Sequence, residues 1–183
     1  MTSHFSLNIK TLSSHSNAQV LSLALVHFDE DKILNSMHLQ LTLEGQSTRK
    51  RHVETSRVHW WFNEYAKQDG ILPLGGSIVD PGDAIKAINK FIVANGSVPA
   101  NPETPVNFIW MRGIQFDYAI LENLSHDFGV GLSFRHNALR DQRTFCDGHV
   151  DHNPIKARCA LYDAMYHAFQ IRKTLKITDT ELK

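Results

Sequence analysis

The chain is poor in the features that mark several large classes of protein. It has only two cysteines, Cys146 and Cys159, in 183 residues. Two thiols in a chain this long do not make a disulfide framework, and reduced intracellular cysteines are the simpler expectation. No stretch approaches the roughly 18 apolar residues of a membrane helix. The start, MTSHFSLNIKTL, has no charged segment followed by an apolar run, so no signal peptide is expected and the cytoplasm is the default location. Charge of one sign is also missing. Lys plus Arg and Asp plus Glu are 19 each, and the formal net charge is zero. No global field draws the protein to nucleic acid or anionic lipid, and any such binding must be local. No repeat, low-complexity tract or linker interrupts the chain.

What is present suits one soluble domain over residues 1–183. Apolar residues make up 42% and charged residues 21%, too apolar and too balanced for disorder. Phe5, Leu7 and Ile9 alternate with Ser6, Asn8 and Lys10, a strand from Phe5 to Leu12. Val20 to Phe28 is apolar on both faces and reads as a central strand. Met37 to Leu43 alternates again, completing an antiparallel meander.

A short helix covers RVHWWFNEYAKQ. A second begins after Asp80 as cap, with Pro81 inside its first turn and Gly96 as its stop. Val106 to Trp110 is a strand, Phe116 opens a helix that ends near Gly129, and Asn137 to Phe145 is a short extended piece. The longest helix is expected to start at Asn153-Pro154 and run to about Leu175. This order predicts an α/β domain with a mixed sheet and helices against it.

Four segments carry a family resemblance, in order along nearly the whole chain. They are Ser56-Arg57-Val58-His59-Trp60-Trp61-Phe62-Asn63, Trp110-Met111-Arg112-Gly113-Ile114-Gln115-Phe116-Asp117, Arg140-Asp141-Gln142-Arg143-Thr144, and Ala160-Leu161-Tyr162-Asp163-Ala164. Together they resemble the phage exodeoxyribonuclease A group of the RNase T-like DEDDh 3′–5′ exonucleases. The resemblance implies an RNase H-like mixed sheet of about five strands flanked by helices. It implies single-stranded DNA or RNA as partner, a bacteriophage or prophage origin, and a homodimer as an arrangement relatives adopt. It further implies that Leu12, Trp60, Trp61, Asn63, Phe116 and Arg143 line a nucleic-acid path.

The chain departs from that family at the catalytic positions. The first strand of the family carries Asp-x-Glu; here Asn8-Ile9-Lys10 stands in its place. The family's His five residues before the last Asp is Arg158. Only Asp117 and Asp163 remain of the four acids. Two-metal cleavage needs hard oxygen ligands around two ions about 4 Å apart. Lys10 offers no such oxygen, and Arg158 stays protonated and cannot act as a base. The cofactor expectation is therefore none, or weakly held Mg²⁺ or Mn²⁺. Lys10 and Arg158 are expected to stand in for the metals' charge and leave a cationic pocket for phosphate.

Plainer readings stand beside these. Without the resemblance, Asn8 and Lys10 are solvent-facing strand residues, Asp117 is an acid favoured by the helix dipole, and Asp163 faces solvent in mid-helix. One of Trp60 and Trp61 packs while the other stacks on substrate. Arg143 pairs with Asp141 or meets phosphate. Arg49-Lys50-Arg51 is a solvated loop or flanks the nucleic-acid path. Cys146 to His152, with Cys159, is a polar loop or a zinc site.

The departures point to a pseudo-enzyme, an impaired or inactive exonuclease homologue that binds single-stranded 3′ ends or a nuclease-related partner, and two further functions compete with it. An active exonuclease would complete its metal site with Asp29, Glu30 or the His149–His152 loop. A scaffold or inhibitor would act on a host protein.

Overall fold

The structure is a computed structural model, and it describes residues 3–66, 75–97, 107–146 and 159–181. The chain opens with β1 (Ser3–Thr11), β2 (Val20–Phe28) and β3 (Ile33–Leu41), then a one-turn helix α1 (Glu44–Thr48) and α2 (Thr55–Ala66). Strand β4 (Ser77–Val79) leads into α3 (Pro81–Asn95), followed by β5 (Asn107–Met111) and α4 (Ile114–Asp127). A 3₁₀ turn (His136–Ala138), β6 (Leu139–Asp141) and the one-turn α5 (Gln142–Phe145) precede the long α6 (Ala160–Glu181).

The sheet has six strands in the order β4-β3-β2-β1-β5-β6. The expected meander is present, because β2 pairs antiparallel with both β1 and β3. β5 runs parallel to β1 and β6 parallel to β5, so these three strands end on the same side. All nine residues of β2 are buried, as its unbroken apolar run requires.

Each face of the sheet has its own core. Phe5, Leu7 and Ile9 pack with Ile85, Ile88 and Ile92 of α3 and with Ile120, Leu121 and Leu124 of α4. On the other face Ala24, Val26, Phe28 and Trp110 meet Ala160, Ala164, Ala168 and Ile171 of α6. Alanines at four-residue spacing put no long side chain between helix and sheet, so α6 lies close. It covers the side of β1 that carries the polar residues. None of the described helices is long and apolar enough to cross a membrane.

Several expectations needed correction. The sheet gains a strand over the expected five because Gly76 brings β4 against β3. Gly76 has φ +84°, and a Cβ there would lie 2.4 Å from the His38 carbonyl oxygen. Residues 137–145 are a 3₁₀ turn, a three-residue strand and a helical turn rather than one extended piece. Asp141 stops the strand by accepting from the Thr144 amide at 2.9 Å. Helix α6 starts at Ala160 and not at Asn153; the Asp163 amide bonds the Cys159 carbonyl at 3.1 Å, which closes its first turn. β3 begins at Ile33 rather than at Met37; Ile33 and Leu34 are apolar but exposed, and Asn35 and Ser36 follow them, so no alternation marks this end of the strand.

Candidate functional site

The parallel strands β1 and β5 deliver their C-terminal ends to one place, where α4 begins and α6 crosses. Ligands of open α/β sheets commonly sit at such ends. Asn8 pairs with Ala24 and Lys10 with Ser22 across the sheet. Asn8 and Lys10 are two apart and share a face, and that face lies under α6. The plainer reading, that they face solvent, is overturned, because α6 covers them. Asn8 is buried, and its Oδ1 has no hydrogen-bond partner among the described residues.

The Lys10 ammonium forms an ion pair with the Asp163 carboxylate of α6, with 15% and 8% of the two side chains exposed. Asp163 is thus turned inward, not to solvent. Asp117, in the first turn of α4, is buried as well. Burial pushes its carboxyl up to about 7, while Lys10, the Gly113 backbone, Arg143 and Arg112 pull it down. Arg112 is held below its ordinary value by burial and by Arg143, with Asp163 and Asp117 acting the other way. Three cations, Lys10, Arg112 and Arg143, therefore surround two acids.

Arg112 was quoted in the sequence motif without a role. The available signal was its position: it is the residue between the last residue of a parallel strand and the glycine that opens a helix. Arg143 does not pair with Asp141. The Asp141 carboxylate is occupied by the Thr144 amide and hydroxyl at 2.9 and 3.1 Å and by the Ile114 amide at 3.2 Å. It ties the start of α4 to α5.

A cleft of about 180 Å³ adjoins this cluster, lined by Lys10, Arg57, Trp60, Trp61 and Phe116 among others. The two tryptophans divide their work as adjacent helical positions must. Trp61 is buried and its Nε1 donates to the Thr11 carbonyl at 3.0 Å, with Leu12 and Leu21 packed beside it. Trp60 is 41% exposed and its ring stands edge-on to Trp61 at 5.0 Å. Phe116 is exposed across the cleft. Asn63 is exposed on α2 but does not line the cleft. Arg57, one turn before Trp60, was not anticipated.

Other expectations do not converge here. Asp29 follows Phe28, which pairs with His4, and so lies at the far end of β1. At ~3.3 Å per residue it is about 20 Å from Lys10. Asp29 and Glu30 cannot complete a metal site there. Arg49-Lys50-Arg51 is solvated only in part, with Arg49 and Lys50 exposed and Arg51 turned inward. Arg51 is buried, donating to the Ala18 carbonyl, Asn123 and Asp127. Arg49 lies 4.0 Å over the Phe128 ring. Cys146 is buried in the α6 core. Arg158, His149 and His152 lie outside the described residues.

A pair of divalent ions would need carboxylate oxygens for each ion, beside those of a substrate phosphate. The family positions supply two carboxylates and one neutral amide oxygen, and an ammonium already neutralises one of the carboxylates. This donor set does not fit a two-metal centre.

Comparison with known proteins places this geometry in a lineage. An exodeoxyribonuclease of Enterobacteria phage T4 is 24% identical over 132 residues, covering 67% of this chain and 56% of the relative. The chain thus spans little more than half the length of that relative. Solved structures of exonuclease I superpose with a TM-score of 0.61 at 11% identity, over 98% of this chain and 41% of theirs. One of them, Escherichia coli exonuclease I in complex with a dT13 oligonucleotide, gives the same values. At this identity the likeness is one of fold, and the six-stranded mixed sheet with its flanking helices is the RNase H-like fold. A family match extends from residue 3 to residue 175, and the chain belongs to the 3′-5′ exoribonuclease Rv2179c-like domain family.

Proposed function

We propose that this protein is a catalytically impaired or inactive 3′–5′ exonuclease homologue that holds single-stranded nucleic acid, at its 3′ end, on its own cations. The observation that carries this reading is the Lys10–Asp163 ion pair, which puts an ammonium against the acid that a metal would share. Arg112 and Arg143 add charge beside it, and charge-assisted bonds to phosphate need no metal. Trp60 and Phe116 offer exposed rings on which bases stack. That a protein containing this fold, exonuclease I, is seen in complex with a dT13 oligonucleotide supports the choice of ligand. The family and the phage relative are named for RNA and DNA respectively, and the reading covers both.

The test is a labelled single-stranded oligonucleotide with a free 3′ end. Binding is expected to persist in EDTA, without degradation in Mg²⁺ or Mn²⁺. Arg143→Ala is expected to weaken it roughly tenfold, the loss of one charged hydrogen bond. Binding that collapses in EDTA, or Mn²⁺-dependent degradation abolished by Asp117→Ala, overturns the reading.

One observation favours a second reading. The buried Asn8 Oδ1 has no partner among the described residues, and with Asp117 and Asp163 it makes three oxygen-bearing groups available to a single ion once Lys10 swings away. In that reading the protein is an exonuclease of low activity with a non-standard site, and Asn8→Ala removes its Mn²⁺ response. Neither binding nor cutting would leave a scaffold acting on a host protein.

A further inference from the structure

Helix α6 presents a second stripe, on the side turned away from the sheet. Its inward face is Ala160, Ala164, Ala168 and Ile171, all buried. Opposite lie Tyr162, Tyr166, Phe169, Lys173 and Lys176, spaced four, three, four and three apart, a spacing that keeps side chains on one face of a helix. The Tyr162 and Tyr166 rings are stacked, 6.4 Å apart and 10° from parallel. Phe169 is 55% exposed, the most open aromatic ring on this helix, and Lys173 is exposed beside it. Phe169, Arg172, Lys173 and Lys176 line a concavity of about 220 Å³ together with one acid, Glu30.

Arg172 and Lys176 also hold the β2–β3 turn. Arg172 donates to the Glu30 and Asp31 carbonyls, and Lys176 pairs with the Asp31 carboxylate at 3.1 Å. From Ala160 to Lys176 the helix has one acid, Asp163, and it points inward to Lys10.

We propose that the outward face of α6 is a second contact for single-stranded nucleic acid, taking the part of the strand that extends beyond the cationic site. The proposal rests on the reading given above and deepens it. Stacked tyrosines followed by an open phenylalanine and then lysines provide what a single strand offers partners for, bases and then phosphates. The stripe starts at the end of the helix that carries the site, with Tyr162 one position before the inward-turned Asp163 and about a quarter turn around the helix from it. Fourteen residues at ~1.5 Å each give a track of about 21 Å. A second copy of the chain is the less fitting occupant. Three partly exposed rings, at ~150–250 Å² each when fully buried, fall short of the ~800 Å² per partner of an ordinary interface.

The experiment compares oligothymidylates of about 4 and about 16 nucleotides, bracketing the site sizes of strand-binding folds. The longer probe is expected to bind at least tenfold more tightly. Phe169→Ala combined with Lys173→Glu, both at exposed positions, is expected to erase that gain and leave the short probe unaffected. Equal affinity for both lengths, or a double variant that keeps the gain, overturns the second contact while the cationic site stands. Failure of the folded protein to bind either probe overturns both. A dimer in sedimentation that the double variant dissociates assigns the face to a second copy and overturns the proposal.

Discussion

Lys10 shows how far one side chain's meaning depends on what lies over it. Period-2 alternation places Asn8 and Lys10 on the polar face of β1, and on a half-buried strand that face meets water. Here α6 covers it, and a solvated lysine becomes one end of an ion pair. Only the family resemblance pointed inward at this position; composition and periodicity pointed outward. Arg112 was missed for a related reason, since a lone cation at a strand end has no local pattern to mark it.

Removing Lys10's charge takes one cation from a mostly buried carboxylate that Arg112 also faces. Lys10→Met is expected to cost roughly 3 kcal/mol, at the lower end for a broken buried pair. Lys10→Met with Asp163→Leu is expected to recover most of that, because the anion leaves together with its cation. Urea denaturation of the three proteins measures it; a double variant as unstable as the single one would show that the pair itself is not the source.

Elements were legible where their ends carry their own chemistry. Helix α3 begins after Asp80, whose carboxylate accepts from the Gly82 amide at 2.9 Å, with Pro81 in its first turn and Gly96 at its end. Those residues announce a helix without help from the rest of the fold. The start of α6 was misplaced because Asn153-Pro154 looks like a helix opening, whereas the helix begins at Ala160, whose only local mark is an alanine spacing that means nothing until a sheet is present. Residues 137–145 failed differently: three short elements in nine residues leave no room for a periodicity to develop.

Helix α2 separates two roles at neighbouring positions. Trp61→Phe keeps the ring but loses the bond to the Thr11 carbonyl, and is expected to lower stability by about 1 kcal/mol. Trp60→Ala is expected to leave stability nearly unchanged and weaken oligonucleotide binding severalfold, as loss of a stacking platform does. Melting and binding measured on both variants would contradict the division if the two effects were exchanged.

Across the whole molecule the meander and the mixed α/β class followed from the sequence, because strand pairing through short turns is local. The parallel additions β5, β6 and β4 are joined through helices and long connections, and no neighbouring pattern fixes their order.

Stability against pH is also a property of the whole, since two buried groups oppose each other. The Asp117 carboxyl sits at about 7 against an ordinary 3.8, mainly through burial. Between those values the native state keeps a proton that the unfolded chain releases, so this group lowers stability as pH rises through that window. His4 is depressed from 6.5 to about 4, chiefly by burial. Between those values the unfolded chain holds the extra proton, so His4 raises stability with pH, and His27 acts in the same direction. The native protein is expected to show a shallow profile across the shared window. Asp117→Asn removes the descending part and exposes a rise, to which His4 alone contributes up to about 1.4 kcal/mol per pH unit. Identical slopes for the two proteins in urea melts across that window would refute the assignment.

The Lys10–Asp163 contact also bears on what can be exchanged at this spot. Lys10→Glu would replace the ammonium with a third carboxylate beside Asp117 and Asp163. Such a protein is predicted to fold less well unless a cation joins it, so at this position one substitution trades stability for an oxygen ligand.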